Sequence, residues 1–206
     1  MLTVKEVYEA IDAFAPFASQ ESWDNSGLLV GGMAQPADRI LTTLDISEAI
    51  VAQAVAEQVQ LVVAHHPVIF SPLKTLPPDS PVYQLAAHGI AAICVHTPLD
   101  MAPLGLNTFA HTLLEKPLAL QDTQEVLEPS WTDGRGFGWI DTSARTWTPQ
   151  TLAQTLQTAF GEVRYSAAER SIRKIAYCSG SAASMLELAA AKGCDALITG
   201  DIKHDR

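Results

Sequence analysis

The sequence predicts an α/β fold with largely buried strands, arranged in two lobes. Apolar strand-like runs alternate with helical patterns, and several of these runs are apolar throughout, as in strands covered on both faces. The order strand, serine, helix, strand also occurs twice, from "ILTTLDI" to "LVVAHH" and from "KIAYCSG" to "ALITGD", which hints at a duplicated unit. A chain of 206 residues, 48% of them apolar, is long enough for one large domain or two small lobes.

The first part of the chain begins with a helix. Thr3 and Glu6 have capping-box spacing and open an amphipathic helix to about Phe14, which Pro16 ends. Strands are predicted at "LLVGG", "ILTTLDI", "LVVAHH" and "IAAICVH", and Ser47 is the N-cap of a helix over "EAIVAQAVAEQ".

A proline-rich loop separates two of these strands. The five prolines from Pro67 to Pro81 make a helix there unfavourable. A short helix over 82–88 is predicted to follow and to end at Gly89, which suits the left-handed position after a helix.

The second part repeats the alternation after a segment of weak pattern. "LGLNTFAHTLLE" predicts a helix, and the weak segment 116–129 marks the boundary between lobes 1–125 and 126–206. "GRGFGWID" indicates a glycine-spaced strand or turn, and Thr148 followed by a proline opens a helix to about Phe160. "KIAYCSG" and "ALITGDI" are predicted strands, joined by a helix over "AASMLELAAAKG".

Composition narrows the function classes. The formal net charge is −10 and the basic residues form no cluster, so nucleic acid and anionic membranes are unlikely partners. No signal peptide or membrane-length apolar run stands out. The three widely spaced cysteines indicate reduced thiols in a cytoplasmic protein.

Polar residues that can bind metal follow several predicted strands. Ligands of open α/β sheets bind beyond the carboxyl ends of strands, so these side chains are candidates for one shared crevice. The candidates are Asp45, the pair His65 and His66, His96 with Asp100, and Asp201 with His204.

The adjacent histidines suggest two ions. Neighbouring strand residues point to opposite faces, so His65 and His66 suit two ions, or one ion plus a supporting role, better than a single ion. Imidazole and carboxylate ligands suit Zn²⁺, Mn²⁺, Fe or Co²⁺. Two metals sharing a bridging water would make a nucleophile for hydrolysis.

Structural alternatives remain open for these residues. The double histidine can be a polar strand end, and Asp45 can cap the following helix. His88 and His111 are expected at the core or rim. "WDNSG" predicts a turn, with Trp23 in the core and Asn25 or Gly27 at positive φ.

Six segments together resemble a known family. "WDNSGLLVG", "LDIS", "VVAHHPVIF", "VHTPLD", "GFGWI" and "ALITGDIKH" occur in the order found in the Nif-three-like dinuclear-metal family. The resemblance covers Val4 to His204. It implies two intertwined α/β lobes with mixed sheets, a ring-like homohexamer, and a two-metal centre in each subunit. His65, His66 and Asp100 are the implied metal ligands, with His96 close by.

The resemblance also implies a function, and the chain differs from the family pattern at one place. Bacterial members are labelled type 2 homologues of GTP cyclohydrolase I, which implies metal-hydroxide attack on GTP with release of formate. The alternatives are a metal-dependent phosphoesterase, for which Lys74 and Lys203 are the basic candidates, and a non-catalytic hexameric metal-binding scaffold. The family's closing "GH-x-x-x-E" motif is missing, so the chain is expected to be C-terminally truncated, either as a fragment or naturally, or to use His204 as a substitute ligand.

Overall fold

Two compact units make up the chain, one formed by Met1–Leu99 and the other by the chain from Asp100 onward. The computed structural model describes residues 1–131, 133–166 and 169–202. The predicted α/β class is confirmed, because each unit contains a four-stranded mixed sheet together with helices. The lobe boundary near residue 125 stays a prediction.

The first unit carries a sheet in the order β1-β4-β3-β2. Strands β2, β3 and β4 run parallel, and β1 is an antiparallel edge strand. The elements are α1 (Val4–Phe14), β1 (Gly27–Val30), β2 (Ile40–Thr43), α2 (Glu48–Ala56), β3 (Leu61–Ala64), α3 (Pro81–Ala87) and β4 (Ala91–Cys94), followed by a short helix α4 (Thr97–Met101) that begins in this unit and ends in the next.

Local signals define the helices of this unit as predicted. The Thr3 side chain accepts from the Glu6 amide and the Glu6 carboxylate accepts from the Thr3 amide, which completes the capping box of α1. Helix α2 is capped by Ser47. Gly89, at φ +66°, follows α3. All four residues of β4 are buried, as expected for a parallel strand covered on both faces.

The second unit carries a sheet in the order β5-β6-β7-β8, in which only the β7–β8 pair is parallel. Its core includes Leu114, Trp139, Leu152 and Ile175. The elements are α5 (Leu106–Leu118), β5 (Glu125–Pro129), β6 (Gly136–Trp147), α6 (Pro149–Phe160), β7 (Ile172–Cys178), α7 (Leu186–Ala191) and β8 (Ala196–Thr199).

Three predictions for this unit need correction. The segment of weak pattern contains the end of α5 and the whole of β5. Strand β6 has 12 residues and extends well past "GFGWID", because it pairs with β7 as far as Trp147. Helix α7 is shorter than predicted, since Ala183–Met185 form a 3₁₀ turn before it.

The cysteines pack as core residues. All three are free thiols, and Cys94 and Cys178 are buried. Burial, with smaller effects from nearby acidic groups, raises the pKa of both thiols to about 12, so both are protonated and weakly nucleophilic at neutral pH. Across the part of the chain that the structure describes, every helix is too short or too polar to cross a bilayer.

Candidate metal centre

Three histidines meet at the carboxyl ends of β3 and β4. His65 and His66 directly follow β3, and His96 comes shortly after β4. Because these two strands are parallel neighbours, their carboxyl ends lie together. Ligand atoms of the three side chains all lie within 4.8 Å of one another, so the group could hold a metal ion. The ring centroids are 4.9, 5.1 and 5.6 Å apart.

The expectation that the adjacent histidines point to opposite faces is wrong. Strand β3 ends at Ala64, so His65 and His66 lie beyond the regular pleat that would alternate their side chains. Their backbone amides still bond to the chain after β2, at Thr43 O (3.2 Å) and Leu44 O (2.9 Å). Both rings therefore turn toward His96, and the spacing suits one ion as well as a pair of ions.

Each ring is held at Nδ1 by an oxygen acceptor. His65 Nδ1 lies 3.0 Å from Val95 O, His66 Nδ1 2.7 Å from Asp45 Oδ1, and His96 Nδ1 2.8 Å from Asp24 Oδ1. A neutral imidazole that donates from Nδ1 presents the lone pair of Nε2 to a metal. Carboxylate and carbonyl partners of this kind orient metal-binding histidines and raise their basicity, so the donor set fits a transition metal.

Asp24 is the most extensively bonded carboxylate of the site, and its side chain is fully buried. Besides His96, it accepts from Thr97 Oγ1 at 2.6 Å, Ser26 Oγ at 2.9 Å and the Asn25 amide at 2.7 Å. Burial alone would raise the pKa of this carboxyl, but the hydrogen bonds outweigh it and hold the pKa far below its usual range. Asp24 is therefore ionised and holds the His96 ring in one orientation.

The segment "WDNSG" contributes more to the site than a turn. Gly27 has a positive φ of +129°, as expected. Trp23, however, is 56% exposed, so its prediction as a core residue is wrong. Its ring lies 5.8 Å from the His96 ring, nearly perpendicular to it. The sequence alone did not predict a role for Asp24. Its segment directly precedes an edge strand of the same sheet, and this position could have indicated that Asp24 lies near the histidines.

Asp45 lies beside the histidines rather than at the start of α2. Ser47 caps that helix by accepting from the Ile50 amide, while Asp45 bonds to His66. Both partners are accessible, with 45% of the His66 side chain and 64% of the Asp45 side chain exposed. This side of the site is therefore open to solvent.

The other predicted residues differ in their surroundings. Asp100 belongs to the second unit, at the end of α4, where Ser179 Oγ donates to its carboxylate at 3.1 Å. His88 is exposed and Asp201 is exposed. His111 is buried against Asp141 at 2.8 Å. The substitute-ligand prediction for His204, and Lys203, lie outside the described residues.

Comparisons of sequence indicate a family and its relatives. The Duf34/NIF3 (NGG1p interacting factor 3) family profile matches residues 2–206. A "GTP cyclohydrolase 1 type 2 homolog" of Streptococcus pneumoniae is 33% identical, over 98% of this chain and 78% of that protein. A "GTP cyclohydrolase 1 type 2" of Helicobacter pylori is 32% identical, over 99% of this chain and 79% of that protein.

Comparisons of structure agree on the fold. A Bacillus cereus protein related to NIF3 superposes with a TM-score of 0.87 at 18% identity, covering 100% of this chain and 84% of that one. A Staphylococcus aureus hypothetical protein superposes with a TM-score of 0.85 at 24% identity, covering 98% of this chain and 80% of that one. At these identities the likeness shows the fold alone.

Proposed function

Since the chain belongs to the Duf34/NIF3 family, we propose that it is a dinuclear metal-binding protein of the hydrolase type, acting on GTP. The reaction would open the guanine ring at C8 by hydrolysis and release formate. The choice of substrate follows the name of its curated relatives, GTP cyclohydrolase 1 type 2. As a working assembly we propose a cytoplasmic, ring-like homohexamer.

One observation carries the proposal: three imidazoles converge, each held at Nδ1 by an oxygen. A histidine that only caps a strand needs no such convergence. We propose His65, His66 and Asp100 as the ligands of two divalent ions, drawn from Zn, Mn, Fe and Co, with His96 as a further donor. Two such ions, when bound, would lower the pKa of a water molecule and supply the nucleophile for hydrolysis.

The chain's own residues then position the reaction. Asp24 keeps the His96 ring in one tautomer and one orientation. Asp45 does the same for His66 from the exposed side of the site, where both side chains remain accessible. Solvent and a small substrate can therefore approach the histidines from this side.

Replacing His65 and His66 together by alanine tests the site. Because even the loss of a supporting partner weakens a metal site about 10- to 100-fold, removing two ligands should lower metal affinity by at least about tenfold. Elemental analysis after dialysis measures bound metal, and far-UV circular dichroism checks the fold. The matched control is His88→Ala, which replaces the exposed C-cap histidine that follows α3. Equal metal content in the double variant and the unmodified chain would contradict the site.

A nucleotide panel with the metal-loaded chain tests the reaction. GTP loss with stoichiometric formate supports the cyclohydrolase reaction, and this activity should vanish in the double variant but not in His88→Ala. Phosphate release without formate would contradict the cyclohydrolase reaction and indicate a metal-dependent phosphoesterase. Bound metal without turnover, in a stable hexamer, would indicate a non-catalytic scaffold. Light scattering on the same samples measures the assembly.

A further inference from the structure

Two large aromatic side chains lie exposed beside the histidines. Trp23 is 56% exposed and Phe70 is 52% exposed. Their ring centroids are 6.3 Å apart with planes tilted by 48°, and the Trp23 ring meets His96 edge-on at 5.8 Å. Single exposed apolar residues are ordinary, but an adjacent aromatic pair next to a candidate metal centre is an informative patch.

Both rings are carried by backbone that hydrogen bonds hold in place. Trp23 directly precedes Asp24, whose amide donates to Glu21 O at 2.9 Å and whose buried carboxylate binds His96. The loop carrying Phe70 is tied to the same segment, because Asn25 Nδ2 donates to Ile69 O at 2.5 Å. The two rings are therefore presented to solvent by an ordered scaffold, and a ligand covering them would remove apolar surface from water.

We propose that Trp23 and Phe70 form an aromatic platform that binds a planar heteroaromatic ring, of purine size, beside the metal ligands. This inference deepens the proposed function and rests on it for the location of the chemistry. Indole offers the largest stacking face among side chains, and every nucleobase has a π-face that can lie against it. The exposed aromatic surface next to the His96 ring thus assigns the site a base-containing substrate.

Charge around the site favours recognition through the ring. The carboxylates of Asp24 and Asp45 lie beside the histidines, and the whole chain has a formal net charge of −10. Phosphate groups gain little from such surroundings without bound metal. The base, stacked on the aromatic platform, is then the part of the substrate that the protein itself selects.

The test compares ligands that differ in the ring. Isothermal titration of the metal-loaded full chain uses guanosine, which has a base and no phosphate, and ribose 5-phosphate, which has a phosphate and no base. In a repeat of the titration with the metal-free chain, where no ion attracts the phosphate, guanosine should bind more tightly than ribose 5-phosphate. Trp23→Leu should weaken guanosine binding at least about tenfold, as expected for the loss of one base–aromatic stack. Trp23→Phe, which keeps a ring, should retain most of the affinity.

Controls separate stacking from damage to the site. Tyr83→Leu removes another exposed aromatic, on α3, and should leave guanosine binding unchanged. Metal content should be the same in Trp23→Leu, Trp23→Phe and Tyr83→Leu, since these variants keep the three histidines and the oxygen acceptors at their Nδ1 atoms. Phe70→Leu should weaken binding in the same direction as Trp23→Leu.

The outcomes are distinct from those of the proposed function. Ring-dependent guanosine binding without any turnover would support the aromatic platform and remove the cyclohydrolase reaction. Equal guanosine affinity in Trp23→Leu and the unmodified chain would overturn the aromatic platform even if GTP is hydrolysed. The aromatic platform would also be overturned if Trp23→Leu dissociated an oligomer and left guanosine affinity unchanged. In that case the Trp23 ring would pack against a second copy of the chain and not against a ligand.

Discussion

Each of the two units contains a buried aspartate whose carboxylate forms a hydrogen bond with a histidine ring. Asp24 holds His96 in the first unit, and Asp141 holds His111 in the second. The partners lie 72 and 30 residues apart in sequence. A local sequence pattern cannot predict such a pair, because neither the histidine nor the aspartate alters the hydrophobic periodicity of the helix or strand around it.

The His111–Asp141 pair ties helix α5 to strand β6. The Asp141 side chain is fully buried and also accepts from Thr123 Oγ1 at 2.6 Å and from the Thr142 amide at 2.6 Å. Burial alone would raise the pKa of the Asp141 carboxyl, but hydrogen bonds from Thr123, His111 and Thr142 outweigh it and lower the pKa. The ionised form thus stabilises the native state.

Asp141→Asn should destabilise the chain by about 3 kcal/mol at pH 7, since it removes charge-assisted bonds to a buried group. A lowered native pKa gives stability that is complete above the unfolded value of about 3.9 and is lost as the pH falls through the native pKa. The gap in unfolding free energy should therefore shrink as the pH falls below about 4. Urea unfolding in chelator, at several pH values, measures it, and a gap independent of pH would contradict the role of the carboxylate.

Strand β6 is the element that the sequence described least well. Its glycines predicted either a strand or a turn, and the structure shows a strand that contains a residue at positive φ, Gly138 at +67°. A Cβ there would clash with the carbonyl oxygen of Tyr177 and lie 3.3 Å from the Leu127 Cβ. Close backbone approach, rather than a turn, therefore explains this glycine.

Gly138→Ala should destabilise the second unit by about 2–4 kcal/mol, because backbone strain and overpacking add. Gly193→Ala is the matched control: Gly193 also has a positive φ, of +74°, but an added Cβ meets no heavy atom of the described residues within 4 Å. It should cost only the strain, about 1 kcal/mol. Thermal unfolding measures both variants, and equal losses would show that packing against Tyr177 does not matter.

The net charge of the whole molecule bears on the kinds of partner that it can bind. The formal net charge of −10 and the sequence pI of about 4.9 imply a negative surface potential at neutral pH. Phosphate backbones of nucleic acids are repelled by such a surface, and no basic cluster offsets this in the sequence.

The chain should therefore bind a 20-base-pair DNA duplex more weakly than about 10⁻⁴ M at 0.15 M salt. Fluorescence anisotropy of a labelled duplex checks this, with a basic DNA-binding protein as the positive control. Saturable binding whose affinity falls steeply with salt would contradict the prediction and point to a basic surface formed by assembly.

Features that depend on residues close together in the sequence could be predicted, whereas features that depend on distant residues required the structure. The sequence alone determined the α/β class, the capping box at Thr3, the Ser47 cap and the presence of His65 and His66 at a strand end, because these depend on residues a few positions apart. Only the tertiary structure decided that both histidines turn toward His96, that Asp24 orients that ring, and that Trp23 is exposed beside it. These depend on which strands lie side by side, and contacts between parallel strands join residues too distant along the chain for any local pattern to specify.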